Sequence, residues 1–102
     1  MIEILESKRE QILESCARHG VTRLYIFGSA LHDGFKPKES DLDFLVEFGP
    51  MEPYARVDAY FGMLEDLRAM FDLKVDLVMA GAVKNAYIAR NIERTKQVLY
   101  AA

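Results

Sequence analysis

Two carboxylates two positions apart, Asp41 and Asp43, open a run of apolar residues, and a third, Asp76, interrupts another. In a strand alternate side chains share a face, so Asp41 and Asp43 point the same way. Like charges held that close repel unless a proton or a cation sits between them. Asp76 lies within Lys74-Val75-Asp76-Leu77-Val78-Met79, where a carboxylate is costly to bury unless it is paired, hydrogen-bonded or metal-bound. Three carboxylates brought to one point suit Mg²⁺, a hard cation that takes oxygen ligands and shares its shell with substrate phosphates. Upstream, the apolar run Leu24-Tyr25-Ile26-Phe27 stops at Gly28-Ser29. Glycine permits a close backbone approach to a ligand, and the serine adds a hydroxyl. A backbone nest facing a carboxylate pair is a way to hold a metal-bound polyphosphate. In such chemistry metal ions neutralise the polyphosphate, stabilise the transferring phosphorus and lower the pKa of the attacking hydroxyl. Asp41 and Asp43 are then shared metal ligands, and Asp76 holds the metal nearer the nucleophile and accepts its proton.

The elements that must position these groups follow from periodicity. Apolar residues Ile2, Leu5, Ile12, Leu13, Cys16 and Ala17 predict a helix over 2–18, stopped at His19-Gly20. Strands are expected over 23–27 and 42–48. In the second, Leu42, Phe44, Val46 and Phe48 take one face and Asp41, Asp43, Leu45 and Glu47 the other. Between them, residues 30–40 form a charged connection with an Asp33-Gly34 turn, and Ser29 could cap a helical turn over Ala30-Leu31-His32. After Gly49-Pro50 a helix is predicted over 54–70, with Val57, Tyr60, Phe61, Leu64 and Leu67 inward. A third strand follows over 74–79, and a last helix over 82–93 with Val83, Tyr87, Ile88 and Ile92 inward. Val98-Leu99-Tyr100 is too short to assign. The short first connection implies antiparallel neighbours, whereas the third strand follows a helix long enough for a parallel crossover. The expected fold class is α/β (α+β), a small mixed sheet with flanking helices and one carboxylate face free for chemistry.

A chain of 102 residues predicts one domain spanning 1–102. Composition is that of an ordinary globular protein, with 51% apolar and 28% charged residues. No run reaches the length of a membrane span, and Met1-Ile2-Glu3-Ile4 lacks the features of a secretory signal. The lone Cys16, on the apolar side of its helix, reads as a small core residue. These features point to the cytoplasm. Charge is uneven: residues 81–102 set Lys84, Arg90, Arg94 and Lys96 against Glu93 alone, and the acidic residues concentrate in the rest. An acidic body disfavours unspecific nucleic-acid binding, which needs a basic track. Tyr54, Tyr60, Phe61 and Tyr87 stand at helical spacing and read as core or interface positions.

Phe27-Gly28-Ser29 with Asp41-Leu42-Asp43 resembles the signature of the DNA polymerase beta-like nucleotidyltransferases. The short chain and Lys74-Val75-Asp76-Leu77-Val78 resemble in particular the minimal nucleotidyltransferase (MNT) domains, over about residues 20–95. The resemblance implies a mixed-sheet core, a metal-binding catalytic triad of Asp41, Asp43 and Asp76, and Gly28 and Ser29 on the outer phosphates of ATP. It further implies Mg²⁺, as two ions when nucleotide is bound. As partner it implies a HEPN-domain ribonuclease toxin, which such antitoxins (of a type VII-like pair) bind as a hetero-oligomer and modify by AMP transfer to a tyrosine. One departure stands out, because family members carry arginine straight after Gly-Ser and again nearby, where this chain has Ala30 and His32. An arginine fork is not replaced by either residue, although Lys36, Lys38 or a partner residue could compensate. Two other readings remain beside the enzyme: an antitoxin that silences its toxin by covering it, and transfer to a small molecule or RNA.

Overall fold

The computed structural model describes residues 3–28, 41–71 and 73–102. Four strands form one mixed sheet in the order β3-β2-β1-β4. Strand β1 (Val21–Phe27) pairs antiparallel with β2 (Leu42–Phe48), which pairs in parallel with β3 (Val75–Met79). The expected antiparallel pair and parallel crossover are thus both present, in a polymerase-beta-like mixed sheet flanked by helices. Strand β4 (Gln97–Ala101) lies on the far side of β1, antiparallel to it. It contains the three residues that sequence periodicity left unassigned, because five residues on an outer strand carry too little pattern to read. The bridging segment is α3 (Pro53–Met70), whose first turn begins at proline, a residue with no N–H to leave unsatisfied there.

The two sheet faces are filled differently. Under α2 (Arg9–Arg18) and α3 lies a closed core in which Cys16, Leu24, Ile26, Leu42, Phe44, Val46, Met63 and Leu67 are fully buried. Burial pushes the Cys16 thiol up to about 12, which keeps it protonated and inert, as a core cysteine should be. On the opposite face, Tyr25 and Leu45 meet Ile92 of α4 (Ala86–Thr95), a much thinner cluster. Lys96, just after α4, places its ammonium 4.1 Å from the centre of the Tyr25 ring and ties α4 to β1.

Three helical expectations are corrected. The first helix is two pieces, α1 (Glu3–Ser7) and α2, broken at Lys8, and Ala17 is exposed. In α3 the buried stripe is Ala59, Met63 and Leu67, while Val57 and Phe61 are exposed and Tyr60 and Leu64 only partly covered. Apolar residues occur on every side of this helix, so spacing alone does not select the face that docks. The last helix begins at Ala86 after an Asn85 cap, whose side chain accepts from the Ile88 N–H at 3.1 Å; Tyr87 and Ile88 are exposed. Only Ile92 is buried in that helix, with Val83 packed against it from the preceding segment.

Candidate active site

The sheet register sets two of the three sequence-selected carboxylates, Asp43 and Asp76, opposite each other. On β2, Asp43 alternates with Leu45, so it belongs to the face that α4 covers. In the register, Asp43 is opposite Phe27 on β1 and opposite Asp76 on β3. Gly28 follows Phe27 with φ +79°, a conformation glycine adopts without strain. A Cβ built there would come within 2.6 Å of Asp43 Oδ2, so the carboxylate lies directly against this backbone. Phe27, Asp43 and Asp76 therefore run in a row across three adjacent strands, with Gly28, just past the end of the first, against Asp43. Asp41, immediately before β2, is half-buried and contributes its charge from the same end.

Electrostatics reports this crowding. Burial, then the charge of Asp76, then that of Asp41, push the Asp43 carboxyl up to about 6. A carboxylate raised by two others is a group that a cation would return to its charged form. Among the described residues, no three His, Cys, Asp or Glu side chains gather closely enough to hold a metal ion between them. The donor set nevertheless fits Mg²⁺, because it is all carboxylate and Asp43 feels the charge of the other two. The nucleotide-cradle half of the expectation is divided: Gly28 is placed as described, whereas Ser29 lies outside the described residues, as do Ala30, His32, Lys36 and Lys38.

Beside the aspartates a cavity of about 350 Å³ opens around β3, the outer strand of the sheet. Asp43 and Asp76 line it together with Tyr60, Leu64 and Arg68 of α3 and Ile88 of α4. Its volume falls within the roughly 300–1,000 Å³ of small-ligand clefts. The Tyr60 hydroxyl donates to the Leu77 carbonyl at 2.6 Å, fixing α3 to this strand. Sequence reasoning did not find Arg68. An arginine in the last turn of a helix is ordinary, and only the three-dimensional path of α3 brings it to the cavity that Asp76 also lines.

A second polar cluster, equally invisible in the sequence, joins α2 to α3. Asp66 accepts from Ser15 Oγ at 2.7 Å and from Arg18 at 3.0 Å, and His19 Nε2 lies 2.9 Å from the same oxygen. These partners lie 47 to 51 residues away, beyond the reach of any local pattern.

A glycine turn at the end of one strand, set against aspartates on the next two, defines a nucleotidyltransferase core. The chain belongs to the nucleotidyltransferase domain family, whose model matches residues 9–99. Within it, the chain is a minimal nucleotidyltransferase domain, homologous to protein adenylyltransferases of the MntA type. It is 36% identical over 86 residues to a candidate protein adenylyltransferase of Methanocaldococcus jannaschii, covering 84% of this chain and 82% of that one. It is 33% identical over 97 residues to the protein adenylyltransferase MntA of Thermococcus cleftensis, covering 95% and 88%. Its fold matches a chain in the crystal structure of a toxin–antitoxin with AMP-PNP at a TM-score of 0.62, with 20% identity, over 92% of this chain and 73% of that one. Among the described residues, no helix is long and apolar enough to cross a membrane.

Proposed function

We propose that this domain is the antitoxin of a toxin–antitoxin pair and transfers AMP from ATP to a tyrosine hydroxyl of a HEPN-domain ribonuclease toxin. The observation that carries the reading is the pairing of Asp43 with Asp76 on neighbouring strands and the Gly28 backbone set against Asp43, whose carboxyl is raised by burial and then by Asp76 and Asp41. Homology to protein adenylyltransferases supports the transferred group, and likeness to a toxin–antitoxin structure with AMP-PNP supports the nucleotide and the kind of partner.

Gly28, with Ser29 following it, receives the outer phosphates where a side chain on residue 28 would collide with Asp43. Asp41, Asp43 and Asp76 would hold Mg²⁺, as two ions with nucleotide, and the metal would neutralise the polyphosphate and lower the pKa of the attacking hydroxyl. Asp76, the exposed member on the outer strand, faces the incoming acceptor and takes its proton. The hydroxyl oxygen bonds to the α-phosphorus, the α–β phosphoanhydride bond breaks, and pyrophosphate departs with that electron pair. Water exclusion is completed by the acceptor protein, since α4 covers its face of the sheet with a single buried residue, Ile92.

The test is incubation of the domain and its cognate toxin with α-labelled ATP and Mg²⁺. Label is expected on a toxin tyrosine, lost when Asp41 and Asp43 are replaced by asparagine. Toxin inhibition with no label would replace the enzyme by an antitoxin that acts through binding.

A further inference from the structure

Asp76 is aimed by its backbone. Its side chain is exposed, and among the described residues no hydrogen bond or ion pair holds the carboxylate. Its place opposite Asp43 therefore depends on the path of β3, the outermost strand on that side of the sheet. At either end β3 is tied to β2. The Leu42 N–H donates to the Lys74 carbonyl at 2.9 Å, and the Ala80 N–H donates to the Val46 carbonyl at 2.9 Å. Backbone groups alternate in direction along a strand, so those of Val75 and Leu77 turn away from β2. An outer strand ordinarily leaves such groups to water, and its local stability suffers for it. Here the Leu77 carbonyl, midway between the two ties and next to Asp76, accepts the Tyr60 hydroxyl of α3 at 2.6 Å. The Tyr60 ring packs against the main core, so this bond runs from an anchored side chain to the residue beside Asp76.

We infer that Tyr60 is a positioning residue for Asp76, fixing this outer carboxylate against Asp43 and thereby setting the affinity of the pair for a divalent cation. The inference rests on the metal-dependent reading above and adds the residue that keeps the outer ligand in place. Asp43 needs no such help, because β2 has a strand on either side. Asp76 has a strand on one side only, and the Tyr60 hydroxyl stands in for the missing neighbour at a single carbonyl. A cation between two carboxylates binds in proportion to the time they spend at the right separation. Groups that orient a ligand from outside the metal's own shell govern that separation, and losing one costs about 10–100-fold in metal affinity or activity. Tyr60→Phe isolates the effect, since it keeps the ring on the core and removes only the donor to β3.

The same bond also helps α3 adhere to the sheet, so the test must read something that a loss of stability does not move. Mn²⁺ alone, standing in for Mg²⁺, is titrated into the full chain, and the free ion is followed by electron paramagnetic resonance. Four proteins are compared: wild type, Asp76→Asn, Tyr60→Phe and Asp66→Asn. The last loosens α3 through its bonds to α2 and leaves β3 untouched. Asp76→Asn and Tyr60→Phe are each expected to weaken Mn²⁺ binding about tenfold, with Asp66→Asn at wild-type affinity. Urea unfolding of the same proteins shows that Tyr60→Phe is folded under the conditions of the titration. Wild-type affinity in Tyr60→Phe overturns the inference, and so does an equal loss in Asp66→Asn, which would reduce Tyr60 to a contribution to stability. If Asp76→Asn weakens binding and Tyr60→Phe does not, the inference falls alone. If Asp76→Asn binds as the wild type does, or the wild type takes up no Mn²⁺ to about 1 mM, the metal-dependent reading falls with it.

Discussion

Asp43, on the α4 face of the sheet, and Asp66, across the opposite face between α2 and α3, carry the same side chain in opposite circumstances. Burial and two acidic neighbours raise Asp43 to about 6. Burial pushes Asp66 upward as well, but hydrogen bonds from Ser15 and His19 and the charges of His19 and Arg18 hold it below the ordinary carboxylate range. One site places a half-buried carboxylate among like charges; the other surrounds a carboxylate with donors. The contrast separates a place where like charges crowd from a place where a charge holds two helices together. It matches the division of the core, which is thick where Asp66 sits and thin where Asp43 sits.

The strongest way to break the comparison is at Asp43. Asp43→Asn is expected to lower AMP transfer on the order of 10²–10³-fold, the cost of removing one fixed electrostatic partner of the transition state. Stability should move the other way. A carboxyl whose folded pKa is raised contributes stability that is fully present below its unfolded value, near 3.8, and lost as pH rises through about 6. In metal-free buffer the wild type should therefore lose stability relative to Asp43→Asn between pH 4 and pH 7. Urea midpoints of both proteins across that range measure it, and a constant difference would remove Asp43 as a stored repulsion.

Next in size is Gly28→Ala. The variant needs alanine at φ +79° with its Cβ where Asp43 Oδ2 now lies. The left-handed backbone alone costs about 1–2 kcal/mol. Displacement of the carboxylate should reduce transfer by about 10²-fold, the usual consequence of misplacing a reacting group by an ångström. Denaturant unfolding and labelled-ATP assays measure the two effects. A variant of wild-type activity would show that Asp43 does not need this approach.

Asp66→Asn sharpens the comparison from the other side. It weakens the acceptor shared by Ser15, Arg18 and His19, and Ser15 is buried. A loss of about 1–3 kcal/mol is expected, with AMP transfer intact. The pH sign is opposite to that of Asp43. A lowered pKa gives stability that is present above the unfolded value, near 3.8, and lost as pH falls through the folded one. The difference between wild type and variant should thus close in acid. Chemical unfolding at pH 7 and pH 3 shows whether it does.

How far the sequence displays these two sites differs for a physical reason. Asp41, Asp43 and Asp76 could be read because strand alternation fixes the face of a residue, and a helix between two strands fixes their parallel pairing. The antiparallel β1–β2 pair follows from an equally local signal, the short connection between the two strands. The clamp at Asp66 could not be read, since its partners meet only after α2 and α3 have packed. The inward side of α3 was misassigned to Val57 and Phe61 because aromatic and branched residues occur around the whole helix, and Ala59 and Met63 carry weaker signals than the exposed Tyr54 and Phe61. Strand β4 escaped because its order depends on the free edge of β1 rather than on its own five residues.

The smallest expected effect lies at Gly62, within α3. Alanine in place of a mid-helix glycine ordinarily stabilises by roughly 1 kcal/mol. Here a built Cβ would stand 2.5 Å from His19 Cε1 and 2.9 Å from Nδ1, in the ring that meets Asp66. To admit the methyl group the ring must leave Asp66, and the lost hydrogen bond, about 1 kcal/mol, offsets the helical gain. Gly62→Ala should therefore change stability by less than about 1 kcal/mol in the wild type, the sum of these two opposed contributions. In a His19→Ala background the collision is gone and the same substitution should stabilise by its full helical amount. A double-mutant cycle by urea unfolding reads this difference directly. Equal effects in both backgrounds would mean that the ring moves aside freely, leaving Ser15 and Arg18 to hold Asp66 without it.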